Sequence, residues 1–278
     1  MYNKVIVPLD CSPLAEVALP YAEEIAGKMG SDIVLLTVLS TEDQKEYQDY
    51  LTYSKKILNA TKHQVKKYLK DPQKLDINIH SATRTGNPAE GILEYAEKGY
   101  PSLIVMATHG RSGLSRWAVG SIADKVIRST SKQPLLLVRA KGSHPDVRAK
   151  RILKTALVPM DGSSVSEAVI PYISEIARHL DMELTLLRII PRTETNFADV
   201  ETYLRTWCQR LTEQGVSAGY EVGTGSPAEK IIDYADESAT DLIAMTTRGQ
   251  TTINMWSLGS VAQKIMLGGN SPLFLVKE

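Results

Sequence analysis

Short apolar runs recur along the chain, each closed by a turn signal and followed by a stretch with helical spacing. Residues 4–9 read KVIVPL, continuous and β-branched, as a strand buried on both faces reads. Ser12-Pro13 then supplies an N-cap and a first helical residue. Leu14, Val17, Ala18, Tyr21, Ala22 and Ile25 share one face of a helix predicted to run to about Met29. DIVLLTVL (32–39) is a second buried strand, and a long polar helix is expected over 50–69. DINIHSAT (76–83) alternates like a strand. Asn87-Pro88-Ala89-Glu90 carries a cap, proline at N1 and glutamate at N3. SLIVMAT (102–108) and PLLLV (134–138) are the fourth and fifth strands, with a glycine loop and a helix between them.

The whole pattern then returns. KVIVPLDCSPLAEVALPYAEEIA (4–26) is matched by TALVPMDGSSVSEAVIPYISEIA (155–177), and TGNPAEGILEYAE (85–97) by TGSPAEKIIDYAD (224–236). Ser226-Pro227-Ala228-Glu229 in the second copy reads as a capping box. PLLLVRA (134–140) is matched by PLFLVKE (272–278). A period this long means duplicated domains rather than a solenoid. The expected division is 1–140, a polar linker 141–150 (KGSHPDVRAK), and 151–278. Apolar strands alternating with helices give an α/β class, each domain a Rossmann-like, doubly wound, five-stranded parallel sheet with helices on both faces.

Composition narrows the class. The chain has 278 residues, 43% hydrophobic and 23% charged, with formal net charge zero, so a general nucleic-acid or membrane-surface role has no electrostatic support. Residues 1–140 hold 18 basic and 15 acidic side chains and residues 151–278 hold 11 and 16, so the halves are mildly basic and mildly acidic. Two cysteines, Cys11 and Cys208, give no disulfide framework and suit a reducing, cytoplasmic setting. The opening MYNKVIVPLD enters a strand-like run at once, unlike a signal peptide, and no stretch approaches the length of a membrane span.

The candidate chemistry lies in the loops. With a strand order of 3-2-1-4-5, the order reverses between strands one and four, where open α/β sheets bind ligands. Asp10 ends the first strand, and ATHGRSGLSRWAVGSIADKVI (107–127) follows the fourth. In the second unit Asp161 and TTRGQTTINMWSLGSVAQKIM (246–266) would meet the same way. Glycines let a backbone approach a polyanion, and a helix N-terminus adds partial positive charge. A carboxylate at the opposite edge suits ribose hydroxyls or a base amino group. Asp10 and Asp161 also suit capping of the following helix. Trp117 and Trp256 read as packing residues, and the lysines over 55–70 as a solvated helix face.

These strand-one and glycine-loop motifs, repeated in order over nearly the whole chain, resemble those of the universal stress protein family (UspA-like), here in tandem. The family pattern is Gly-x2-Gly-x9-Gly-Ser/Thr with an aspartate after the first strand. The resemblance implies adenine and ribose contacts at Pro8, Asp10 and Val38, and a phosphate loop of Ala107, Gly110, Arg111, Gly120 and Ser121. In the second unit the matching positions are Pro159, Asp161, Ile189, Thr246, Gly249, Gly259 and Ser260. It implies ATP, with magnesium, as ligand in some members, and pairing of units through strand five. In a tandem chain that pairing is expected to give an intramolecular pseudo-dimer, with further homodimerisation open.

The pattern's first glycine is Ala107 in one unit and Thr246 in the other. Arg111 and Arg116 flank the first loop where the second has Gln250 and Met255, with Arg248 in place of His109. Charge-assisted phosphate contacts therefore favour the first site. Catalysis has little support. The five histidines show no metal-ligand spacing, and no Gly-x4-Gly-Lys-Ser/Thr is present. The expectation is a nucleotide sensor or regulator in a stress response, not an enzyme. The alternatives are an interaction scaffold with relic loops, or an adenylating or ATP-pyrophosphatase enzyme, which DCSPL and DGSSV fit poorly in place of Ser-Gly-Gly-x-Asp-Ser.

Overall fold

A computed structural model describes residues 2–39, 44–69, 71, 73, 76–98, 101–109, 119–130, 133–139, 149–191, 197–247 and 258–278. The chain forms two compact units, Met1–Ile152 and Leu153–Glu278. In the first the elements are β1 (Lys4–Pro8), α1 (Pro13–Glu16), α2 (Leu19–Met29), β2 (Asp32–Leu39), α3 (Gln44–Gln64), a 3-10 turn (Val65–Tyr68), β3 (Ile79–Thr85), α4 (Pro88–Glu97), β4 (Ser102–Ala107), α5 (Ser121–Ser129) and β5 (Leu135–Val138). The second repeats this order: β6 (Thr155–Pro159), α6 (Ser164–Glu167), α7 (Ile170–Leu180), β7 (Glu183–Ile190), α8 (Phe197–Glu213), β8 (Ser217–Thr224), α9 (Pro227–Glu237), β9 (Leu242–Thr246), α10 (Ser260–Gly268) and β10 (Leu273–Val276).

The strands of the first unit run β3-β2-β1-β4-β5, those of the second β8-β7-β6-β9-β10, the expected 3-2-1-4-5 in each. Every pairing within a unit is parallel. The central strands have apolar, buried middles: Val5, Ile6 and Val7 of β1 and Leu103, Ile104 and Val105 of β4 show no exposure. Sequential crossovers leave β1 and β4 as neighbours whose following loops diverge, which opens the crevice beyond their carboxyl ends.

Four local expectations are corrected. The helix expected from Pro13 to Met29 is two helices, α1 and α2. Pro20 sits at the start of α2, where its ring cannot coexist with a helical carbonyl at Glu16, four residues back. Pro171 breaks α6 from α7 the same way, after Glu167. The polar helix begins earlier than residue 50 and tightens into a 3-10 turn after Gln64. The alternating strand starts at Ile79 rather than 76, because Asn78 N–H is taken by the Asp32 carboxylate before ladder pairing begins.

The fourth correction concerns the caps. Asn87 Oδ1 accepts from the N–H groups of Ala89 and Glu90, but Ser226, at the matching N-cap, makes no side-chain capping bond. The two sites should therefore respond differently to alanine. Asn87→Ala is expected to lower the protection of α4 amides in native-state hydrogen exchange by about 1 kcal/mol, and Ser226→Ala that of α9 by only a few tenths. Equal losses would contradict the cap assignment.

Candidate functional site

The turn after β1 is built by Asp10. Its Oδ1 accepts from Ser12 N–H at 3.0 Å and Ser12 Oγ at 2.6 Å. Ser12 Oγ in turn accepts from Ala15 N–H at 3.3 Å, so Ser12 caps α1 and Asp10 orients the cap. The intervening Cys11 adopts φ +64°, a left-handed conformation rare for a side chain with a Cβ. In the second unit Asp161, Ser163 and Ser166 repeat the arrangement, with Gly162 at φ +79°.

The opposite edge is built by the residues after β4. Thr108 N–H donates to Val138 O at 2.8 Å, and Thr108 O accepts from Gly120 N–H at 2.8 Å. The chain thus leaves β4 and returns to the same point to start α5. Gly120 has φ −59°, so its requirement is space: a Cβ there would stand 3.0 Å from Thr108 O. Its N–H is spent on Thr108. The donors left over at this helix start are the N–H groups of Ser121, Ile122 and Ala123, which helix geometry leaves outside the intrahelical ladder. Gly259 N–H likewise donates to Thr247 O at 2.7 Å ahead of α10, with Ser260 as first helical residue.

Ala107 and Thr246 are the last residues of β4 and β9, buried and without positive φ. The strand backbone accepts a Cβ at both, so their departure from glycine is tolerated. Gly110, Arg111, Arg116 and Trp117, and Arg248, Gly249, Gln250, Met255 and Trp256, lie outside the described residues.

Between the two edges of the first unit lies a cleft of about 280 Å³, near the lower bound of roughly 300 Å³ for small-molecule sites. It brings together Pro8, Asp10, Val38, Ala107, Gly120 and Ser121. Pro8, Leu9, Val38, Ile92 and Met106 give it apolar walls, the Asp10 carboxyl stands on one side, and the start of α5 on the other. Sequence reasoning missed Ile92 and Thr37 as lining residues. The Pro88 start of α4 places Ile92 one helical turn along, a signal that was present. Thr37, 4% exposed, gave none. His109 lines the same cleft, its Nδ1 3.1 Å from Thr108 Oγ1.

Pro159, Asp161, Ile189, Thr246, Gly259 and Ser260 hold the matching positions in the second unit, at the ends of β6, β7 and β9 and the start of α10. There Arg188 stands where the first unit has Thr37, and its Nη1 donates to Met160 O at 3.4 Å.

The model of the universal stress protein family matches residues 1–139 and again 153–277. The chain belongs to the universal stress protein family. A universal stress protein of Synechocystis sp. is 21% identical over 299 residues, covering 98% of each chain, so the tandem arrangement has a full-length relative. A single-length universal stress protein of Methanocaldococcus jannaschii is 29% identical over 142 residues, 50% of this chain and 83% of its own. Among solved structures, a universal stress protein from Archaeoglobus fulgidus has a TM-score of 0.70 at 19% identity, over 100% of this chain and 99% of its own, a likeness of fold. Among the described residues, no helix of this universal stress protein is long and apolar enough to cross a membrane.

Proposed function

We propose that the cleft of the first unit binds an adenine nucleotide, ATP with its magnesium, and that the protein works as a nucleotide-responsive regulator rather than as an enzyme. One observation carries this reading. A single cleft sets an apolar wall between a carboxylate on one side and the free-donor start of a helix on the other. The apolar wall suits a purine ring. The Asp10 carboxylate suits ribose hydroxyls, and the N–H groups of Ser121, Ile122 and Ala123 with the dipole of α5 suit the first phosphate. The site residues thus fit the group at three chemically distinct points. Gly110 and Arg111, the phosphate-loop positions of the family pattern, are residue types suited to phosphate oxygens.

Calorimetric titration of nucleotide-free protein with Mg-ATP tests this. The wild-type protein should bind, and Asp10→Ala should weaken binding about 10–100-fold, the loss of one charge-assisted hydrogen bond of about 1.5–3 kcal/mol. Ser12→Ala, which removes the cap of α1 but keeps the Asp10 carboxylate, should bind nearly as the wild type does, which separates ligand contact from turn stability. No heat of binding with any adenine nucleotide would refute the proposal, and the interaction-scaffold reading would replace it. Steady release of AMP and pyrophosphate would favour an adenylating enzyme.

A further inference from the structure

We propose that Arg188 is the residue that bars an adenine ring from the second unit's crevice, so that the chain carries one nucleotide rather than two. The inference rests on reading the first cleft as a nucleotide site. Strand register makes the two positions equivalent: Pro8 pairs with Leu36 and Pro159 with Leu187, so Thr37 and Arg188 each follow that pair by one residue. The backbones beyond are also the same, with Leu9 N–H donating to Leu36 O at 2.8 Å and Met160 N–H to Leu187 O at 2.9 Å. Only the side chains differ.

In the first unit Leu9, Asp10, Ala15 and Thr37 all face the cleft. Their counterparts in the second unit are Met160, Asp161, Ser166 and Arg188, joined in two pairs, Arg188 with Met160 and Asp161 with Ser166. Arg188 Nη1 reaches Met160 O, Asp161 N–H donates to Ser166 Oγ at 3.2 Å, and Ser166 Oγ donates to Ser163 O at 2.9 Å. A ligand entering here must displace a planar guanidinium and break bonds that the first unit lacks.

A second exchange accompanies the first. The guanidinium passes directly over residue 162, where a Cβ would stand 3.3 Å from Arg188 Nη1. That residue is Gly162, whereas the first unit has Cys11 there at nearly the same φ. The pair Cys11 and Thr37 has thus become Gly162 and Arg188, small gained at one position and large at the other. The Arg188 charge also acts on the Tyr203 hydroxyl, which donates to Glu167 Oε1 at 2.7 Å.

Equilibrium dialysis with Mg-ATP on nucleotide-free protein tests the assignment, using wild type, Arg188→Thr and the double variant Cys11→Gly/Thr37→Arg, with circular dichroism as a check on folding. The expected occupancies are one nucleotide per wild-type chain, two for Arg188→Thr and none for the double variant. Two on the wild-type chain, or still one on Arg188→Thr, would overturn the role of Arg188 and leave the first-cleft reading standing. Binding by Arg188→Thr alone would uphold Arg188 and refute the first cleft. No binding by any of the three would refute both.

Discussion

The stability of the wild-type protein should fall steeply between pH 5 and pH 9, and Glu23→Gln should remove most of that fall. Glu23 lies on α2, 5% exposed, beside the fully buried Glu24, whose Oε2 accepts from Ile152 N–H at 2.8 Å. Burial pushes the Glu23 carboxyl up to about 8 from 4.5, against the opposing influence of the Thr61 hydroxyl and the Lys67 ammonium. The Tyr68 hydroxyl feels the same environment, raised by burial and then by the charges of Glu24 and Glu23.

The sign follows from proton counting. Between 4.5 and 8 the folded state holds a proton at Glu23 that the unfolded chain has released, so stability falls as pH rises and levels off above 8. At about 1.4 kcal/mol per pKa unit, the accumulated cost at pH 9 is on the order of 3–5 kcal/mol. Glutamine keeps the shape and cannot ionise. Hydrogen exchange of the most protected β1 and α2 amides, compared between wild type and variant at each pH, isolates the difference. It should be near zero at pH 5 and reach its full value at pH 9. Parallel profiles would show that Glu23 is ionised in the fold at neutral pH.

A valine at Gly27 should destabilise the first unit by about 3 kcal/mol, at the upper end of the usual overpacking range. A Cβ at that position would stand 2.7 Å from Tyr68 Cβ and 3.3 Å from both Val65 Cγ2 and Val65 O. The obstacle is a Cβ and a backbone oxygen, which cannot rotate away as the end of a long side chain can. The 3-10 turn must shift off α2 or the helix must move. Thermal unfolding of Gly27→Val against Gly27→Ala reads this, with alanine intermediate. A melting temperature unchanged in both would mean that the turn does not press on α2 as described. Since that turn also covers Glu23, Gly27→Val should weaken the pH dependence above by letting water reach the carboxyl.

Much of this architecture was legible because parallel sheets write themselves as apolar runs. KVIVPL, DIVLLTVL, SLIVMAT and PLLLV each became a strand within a residue or two. What was not legible depends on groups distant in sequence. The start of β3 is set by the Asp32 carboxylate 46 residues before Asn78. The close approach of the 3-10 turn to α2 depends on the absence of a side chain at Gly27. The break between α1 and α2 was readable from Pro20, since proline acts on the carbonyl four residues back, and helical periodicity masked it. At the site, Asp10, Val38, Ala107 and Gly120 were found through the strand-end rule and the family motif, whereas the Thr37 and Arg188 exchange emerged only when strand register aligned the two units side by side.

The paired aspartate turns have a consequence for how such chains are read. Asp10 and Asp161 each hold a serine that starts a helix, with the same atoms. A residue that holds a helix cap in this way has a structural role whether or not anything docks beside it. The aspartate of this signature therefore records a helix start, and tallying it across genomes counts folded repeats rather than occupied pockets. The informative letter is the unremarkable one two residues before the end of the second strand, threonine in one repeat and arginine in the other, which no fingerprint built around the turn would inspect.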